Sequence, residues 1–274
     1  MLKQRIVTAL ILAPLAIAAV LLLPTEFVAL LFALVMAVGA REWAVLSGIT
    51  SLGGQLLYSF TLLLTMLGIF YLLPPAGYLW VIALSVLWWV VALYRLARFQ
   101  GAEISPPGIE PLRVVEGLVV LVPAWLALVM LHQRPQGGAV VLLFLLILIW
   151  SADVGAYFAG HRWGRRKLAP LVSPGKTREG VYGAVASTLL CGLVLAWWLG
   201  AELIEAPQVL LFCVATTLFS VVGDLFESML KRRRGMKDSG ALLPGHGGML
   251  DRIDSLTAAA PVFMLGLSLF GVDG

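Results

Sequence analysis

The sequence predicts an all-α, polytopic integral membrane protein with about nine transmembrane helices. Three observations predict it. The chain has 274 residues, of which 61% are hydrophobic and 12% charged, against about 25% charged in an average soluble domain. Long apolar runs recur along the whole chain, each near the roughly 20 residues needed to cross a bilayer. The basic residues are confined to alternate gaps between those runs. A soluble fold of this size cannot hide so much apolar surface, so the surplus faces lipid.

Nine apolar segments can be laid out, at roughly 6–23, 27–46, 55–73, 78–97, 114–132, 138–159, 180–199, 208–230 and 255–272. Pro24-Thr25-Glu26 separates the first two, which therefore form a tight antiparallel hairpin. The first is too long for a signal peptide and reads as an uncleaved helix. Pro74-Pro75, Pro106-Pro107 and Gly137-Gly138 punctuate later gaps. Arg41-Glu42-Trp43 closes the second segment as an interfacial anchor. Every Lys and Arg except Arg134 falls in the N-terminal tail, or in or beside the gaps after even-numbered helices. The positive-inside rule then puts the N-terminus and those gaps in the cytoplasm.

The chain reads as a single membrane domain over 1–274. Residues 1–135 form an apolar helical scaffold. Residues 136–274 form a catalytic half with cytoplasmic loops at 160–179 and 231–254. Cys191 and Cys213 lie inside apolar runs and read as small buried hydrophobes.

Polar residues concentrate in that second half. Asp153 and Asp224 lie within apolar segments, where a carboxylate costs about 2.5–3.5 kcal/mol unless it meets a wet cavity or a partner. Each is read either as a functional acid or as half of an intramembrane ion pair that packs helices. Asp224, Ser228 and Lys231 follow i, i+4, i+7 spacing and share a helix face. Lys231-Arg232-Arg233-Arg234 fits an anchor to anionic head groups or a phosphate site. Glycines in the stretch 237–254 let backbone amides approach phosphate, with His246 among them as donor or proton shuttle. Asp251 and Asp224 supply the oxygen ligands that Mg²⁺ prefers. Asp254 is either a further ligand or the cap of the ninth helix. Gly175-Lys176-Thr177 is not a P-loop, because Pro170 stands where the first glycine belongs and no strand precedes it. Lys176 remains a candidate phosphate contact.

The run Ser228, Lys231-Arg232, Lys237-Asp238, Gly240, Pro244, His246-Gly247-Gly248, Asp251-Arg252, Asp254 resembles, without departure, the signature of bacterial phosphatidate cytidylyltransferases, also called CDP-diacylglycerol synthases. Ser173-Pro174, Lys176-Thr177 and Glu179-Gly180 resemble that family's cytoplasmic loop, as does Asp153 with the Gly160–Gly164 region. The resemblance in residues covers about 150–255.

The resemblance implies a homodimeric enzyme of the bacterial inner membrane with its polar funnel facing the cytoplasm. It implies transfer of CMP from CTP to phosphatidate, with Mg²⁺ required and a monovalent cation such as K⁺ assisting. Its substrates would be CTP and phosphatidate, its surroundings membrane lipid, and no nucleic acid polymer would be a partner. Asp224 and Asp251 are the implied metal-holding acids, with Asp254 supporting them. Lys237, Asp238 and His246 complete the expected catalytic set. Ser173, Lys176, Lys231, Arg232, Arg252 and Asp153 are the expected substrate-binding residues. A CTP-dependent lipid kinase, an ether-lipid cytidylyltransferase and a transporter are the competing readings. The first differs in transferring the γ-phosphate, and the last would work without nucleotide.

Overall fold

In a computed structural model, residues 13–101, 104–198, 205–242 and 247–269 are described. Among them are nine helices and one β-hairpin. The helices are α1 (Ala13–Leu22), α2 (Thr25–Leu46), α3 (Leu52–Leu72), α4 (Pro75–Ala97), α5 (Pro111–His132), α6 (Gly138–Trp163), α7 (Arg178–Trp198), α8 (Ala206–Arg233) and α9 (Leu250–Leu269). The eight from α2 to α9 are long and apolar enough to cross a membrane. Each coincides with a segment expected from hydropathy, and so does the described part of the first.

Local chemistry sets the helix starts. α4, α5 and α8 carry proline in their first turn, where the missing N–H has no helical partner to lose. Ser51 accepts from the Gly54 N–H at 3.2 Å and caps α3. Thr177 does the same for α7, accepting from the Gly180 N–H at 3.1 Å.

α5 and α9 are buried along most of their length, whereas α3 and α4 are largely exposed. The centre of the bundle is thus the α5–α9 pair, and the outer helices present Leu, Phe and Trp outward, as a lipid-facing surface requires. α6 packs on α7, and α8 on both α7 and α9. The α8–α9 approach is close because Gly223 has no side chain. A Cβ there would stand 2.4 Å from the carbonyl oxygen of Asp254.

A cation–π contact and an ion pair join the halves of the chain. Arg95 of α4 pairs with the buried Glu116 of α5, and its guanidinium lies 5.4 Å over the Phe226 ring of α8. At the end of the bundle where α8 stops, Arg234 pairs with Glu110 at 2.8 Å and donates to the carbonyl of Leu46 at 2.8 Å.

The region 160–179, expected as a loop, is built differently. α6 runs on to Trp163, and β1 (Lys167–Ala169) pairs antiparallel with β2 (Ser173–Thr177). Glu179 secures the hairpin by accepting from the Arg165 and Arg166 N–H groups at 3.1 and 3.2 Å. The expectation that no strand precedes Gly175-Lys176-Thr177 is corrected: β1 precedes it, and the three residues themselves lie in β2. The rejection of a P-loop stands, because the phosphate-cradling loop between strand and helix is absent: α7 begins at the residue after β2. The second expected loop, 231–254, is also shorter. α8 continues through Arg233 and α9 starts at Leu250.

Candidate active site

The polar residues meet where the hairpin, α6, α7, α8 and the start of α9 converge. A cavity of about 380 Å³ opens there, lined among others by Asp153, Tyr157, His161, Lys176, Thr177 and Asp224. The hairpin positions Lys176 and α8 positions Asp224, and Lys176 Nζ lies 2.7 Å from Asp224 Oδ2. Ser228 Oγ donates weakly to Asp224 Oδ1 at 3.4 Å, as expected of residues one turn apart. Asp153 of α6 feels the charges of Lys176, Asp224 and Arg252. Asp254 of α9 feels those of Asp224, Lys176 and Lys231. Three helices, α6, α8 and α9, and the hairpin thus bring three acids and their cations to one place.

A second, deeper set lies beside it. Lys231 Nζ is 2.5 Å from Asp251 Oδ1 and 3.2 Å from Glu227 Oε1, and all three side chains are buried. Asp251 Oδ2 accepts from the Ser239 N–H at 3.0 Å, Ser239 Oγ at 3.0 Å and the Gly248 N–H at 2.8 Å. The loop between α8 and α9 is folded around this carboxylate. Glu227 has two buried oxygens without a hydrogen-bond donor, beyond the Lys231 ion pair. It lies within electrostatic reach of Asp254 and Asp251, so it links the two sets.

The basic residues at and just beyond the end of α8 divide their work. Lys231 points inward to the acids. Arg232 holds the site's loops together, donating to the carbonyls of Val172 at 3.3 Å and Met236 at 3.2 Å. Arg234 turns the other way, to the chain segments at Leu46, Pro106 and Gly108. Lys237, Asp238 and Arg252 are exposed, and Ser173 is half-buried at the start of β2. His246 lies outside the described residues. Asp254 stands one turn inside α9 with Thr257 Oγ1 donating to its carbonyl at 2.7 Å, so it is not the helix cap.

Two buried acids were not anticipated. Glu227 sits one turn before Lys231, an i, i+4 signal visible in the sequence. Glu42 of α2, expected only as an interfacial anchor, reaches across to α9. It accepts from the Met249 N–H at 2.9 Å, the Leu250 N–H at 2.7 Å and Ser239 Oγ at 2.8 Å. The cavity also takes in Tyr157 and His161, whose rings stack with centroids 5.9 Å apart.

The donor set is made of carboxylate oxygens, which suits a hard cation. Among the described residues, no three His, Cys, Asp or Glu side chains form a closed metal cage. Mg²⁺ needs none, because it commonly takes one or two carboxylates and completes its shell with water and phosphate oxygens. Asp224 at the cavity wall, with Asp254 close by, meets that requirement.

The family model described as the cytidylyltransferase family matches residues 3–270. The chain belongs to the cytidylyltransferase family. Among its relatives, the phosphatidate cytidylyltransferase of Pseudomonas aeruginosa is 45% identical, with 96% of each chain covered. That of Haemophilus influenzae is 36% identical, over 96% of this chain and 97% of its own. That of Brucella suis is 42% identical over 53% of each chain.

Proposed function

We propose that the protein transfers CMP from CTP to phosphatidate, giving CDP-diacylglycerol and pyrophosphate in phospholipid biosynthesis. The substrate assignment rests on near full-length similarity to the Pseudomonas phosphatidate cytidylyltransferase. The single structural observation that carries the chemistry is the pair of lysine–aspartate contacts, Lys176–Asp224 and Lys231–Asp251, at the convergence of the helices.

The reaction has a simple balance. A phosphate oxygen of phosphatidate attacks the α-phosphorus of CTP, the new P–O bond forms, and the bond to the bridging oxygen of the β-phosphate breaks. Pyrophosphate leaves with the electron pair. The attacking oxygen is already anionic near neutral pH, so little base help is needed. The obstacle is the meeting of two polyanions, which positioned positive charge offsets.

Lys176 and Lys231 are held by aspartates. A triphosphate offers them a more highly charged partner, so each lysine can pass from carboxylate to phosphate while staying near the same place. That exchange would leave Asp224 and the Oδ1 oxygen of Asp251 able to hold Mg²⁺, with Asp254 as the neighbouring acid, while Asp251 Oδ2 stays bound to Ser239 and Gly248. The ion, with K⁺ as an assisting monovalent cation, would supply charge neutralisation on the phosphates. Arg232 and Ser173 fix the hairpin and the inter-helix loop around the triphosphate. Arg252, Lys237 and Asp238 stand at the exposed rim, and Asp153 borders the nucleotide's cavity. His246, within the same signature, donates to the departing pyrophosphate.

The basic asymmetry of the sequence supports a cytoplasm-facing site in a bacterial inner membrane. Family resemblance supports a homodimer. Membranes containing the protein, given labelled CTP and phosphatidate, should form a lipid-soluble CMP conjugate. Release of CDP with a phosphorylated lipid would replace this reading with a kinase.

A further inference from the structure

Glu42 belongs to α2, in the half of the chain that looked like scaffold, yet it makes more contacts with the signature loop than several signature residues do. We infer that Glu42 is a positioning residue of the reaction: through Ser239 and the first amides of α9 it sets the aim of the Asp251 carboxylate. The inference rests on the reading of Asp251 as an active-site acid.

The geometry is specific. One Glu42 oxygen accepts the Met249 N–H, and the other accepts the Leu250 N–H and the Ser239 hydroxyl. Met249 and Leu250 lead into α9, whose opening amides have no helical carbonyl to bind. A carboxylate is favoured there by both hydrogen bonding and the helix dipole. Glu42 thus provides from a distant helix what a local Ser or Asp cap provides elsewhere. Asp251 follows Leu250 directly, so the amides that Glu42 fixes also fix the backbone from which Asp251 projects.

Ser239 makes the second link. Its hydroxyl lies 2.8 Å from Glu42 Oε2 and 3.0 Å from Asp251 Oδ2, and its N–H also donates to Asp251 Oδ2 at 3.0 Å. One hydroxyl proton is shared between two carboxylates, so movement of either acid is felt by the other. Beyond Asp251 the chain of contacts reaches Lys231. The loop is also shaped to admit Glu42. A Cβ on Gly240 would stand 2.4 Å from Glu42 Oε1, and one on Gly248 would stand 2.4 Å from Glu42 Oε2. Two glycines of the signature region therefore leave room for an acid that lies outside it.

The test uses the full-length protein purified in detergent as wild type, Glu42→Gln, Ser239→Ala and the double variant. Glutamine keeps the shape but turns an NH₂ group toward an N–H donor, so one arm of the clamp is lost. The expected result for each single variant is a kcat lower by about tenfold or more, since misplacement of a reacting group by about 1 Å can cost about 10²-fold. The KM for CTP should stay within about threefold, and the Mg²⁺ concentration for half-maximal rate should rise several-fold. The melting-temperature increase caused by CTP with Mg²⁺ should shrink in parallel. Because the two residues act through one path, the double variant should be no worse than the more severe single one. Unchanged kcat and Mg²⁺ dependence in the variants, or losses that multiply in the double variant, would overturn the inference. If Glu42→Gln does not fold, Ser239→Ala decides alone, and a wild-type Mg²⁺ profile there overturns it. A wild-type protein that makes no CMP-lipid would instead overturn the proposed function.

Discussion

Lys176 Nζ and Asp224 Oδ2 lie 2.7 Å apart, joining a β-hairpin to the middle of a membrane helix at the wall of the cavity. Both side chains are about 30% exposed, so water and ligand can reach the pair. A purely structural pair of this kind contributes little to stability, which leaves its positions best explained by the chemistry next to it.

Removing that pair should therefore cost activity rather than folding. Asp224→Asn and Lys176→Met should each lower kcat/KM by about 10²-fold or more, in line with the loss of one preorganised charge. The double variant, which restores neutrality, should not recover. Steady-state rates with CTP and phosphatidate check this, and recovery in the double variant would mark the pair as merely structural.

Lys231 is different, because it is buried between Glu227 and Asp251. Lys231→Met leaves two carboxylates in a low-dielectric site without their cation. The expected loss is about 3–5 kcal/mol, the range for breaking a buried ion pair from one side. Denaturant or thermal unfolding in detergent should detect it, and Lys176→Met should change stability far less.

Chelation should abolish turnover, and Mg²⁺ should restore it. Mg²⁺ commonly completes its shell with substrate phosphates, so the ion should bind tightly only together with nucleotide. Isothermal titration should show weak Mg²⁺ binding alone and stronger binding in the presence of CTP.

Gly48 holds a left-handed turn after α2, with φ +90°, and a Cβ there would meet the Gly108 carbonyl oxygen at 1.9 Å. Gly48→Ala should cost about 1–3 kcal/mol from backbone strain, with a further penalty from the clash. Melting temperature should fall while the Mg²⁺ dependence of the remaining activity stays normal.

Hydropathy made the eight described spans legible, because lipid imposes one rule on each of them. The hairpin was not legible: β1 and β2 are three and five residues long, too short to show an alternating pattern, and β2 carries both proline and glycine. Helix ends were misjudged where polar residues face the site. Arg232 and Arg233 belong to α8 and Asp251 to Asp254 to α9, since a cavity satisfies their charges as a loop would. Asp224 and Asp251 stood out in the sequence because acids near apolar runs are costly and the signature is dense around them, and each lies against a lysine in the structure. Glu42 was missed because its partners are 197 to 208 residues away, and nothing local distinguishes it from an interfacial anchor.

The most direct test follows the label from CTP into lipid. Wild-type protein in phosphatidate-containing vesicles, supplied with CTP labelled at either the α- or the γ-phosphorus, should move only the α label into the lipid phase. That transfer should stop with EDTA and fall about 10²-fold or more in Asp224→Asn and Asp251→Asn. Entry of the γ label, or full transfer by either variant, would contradict the account.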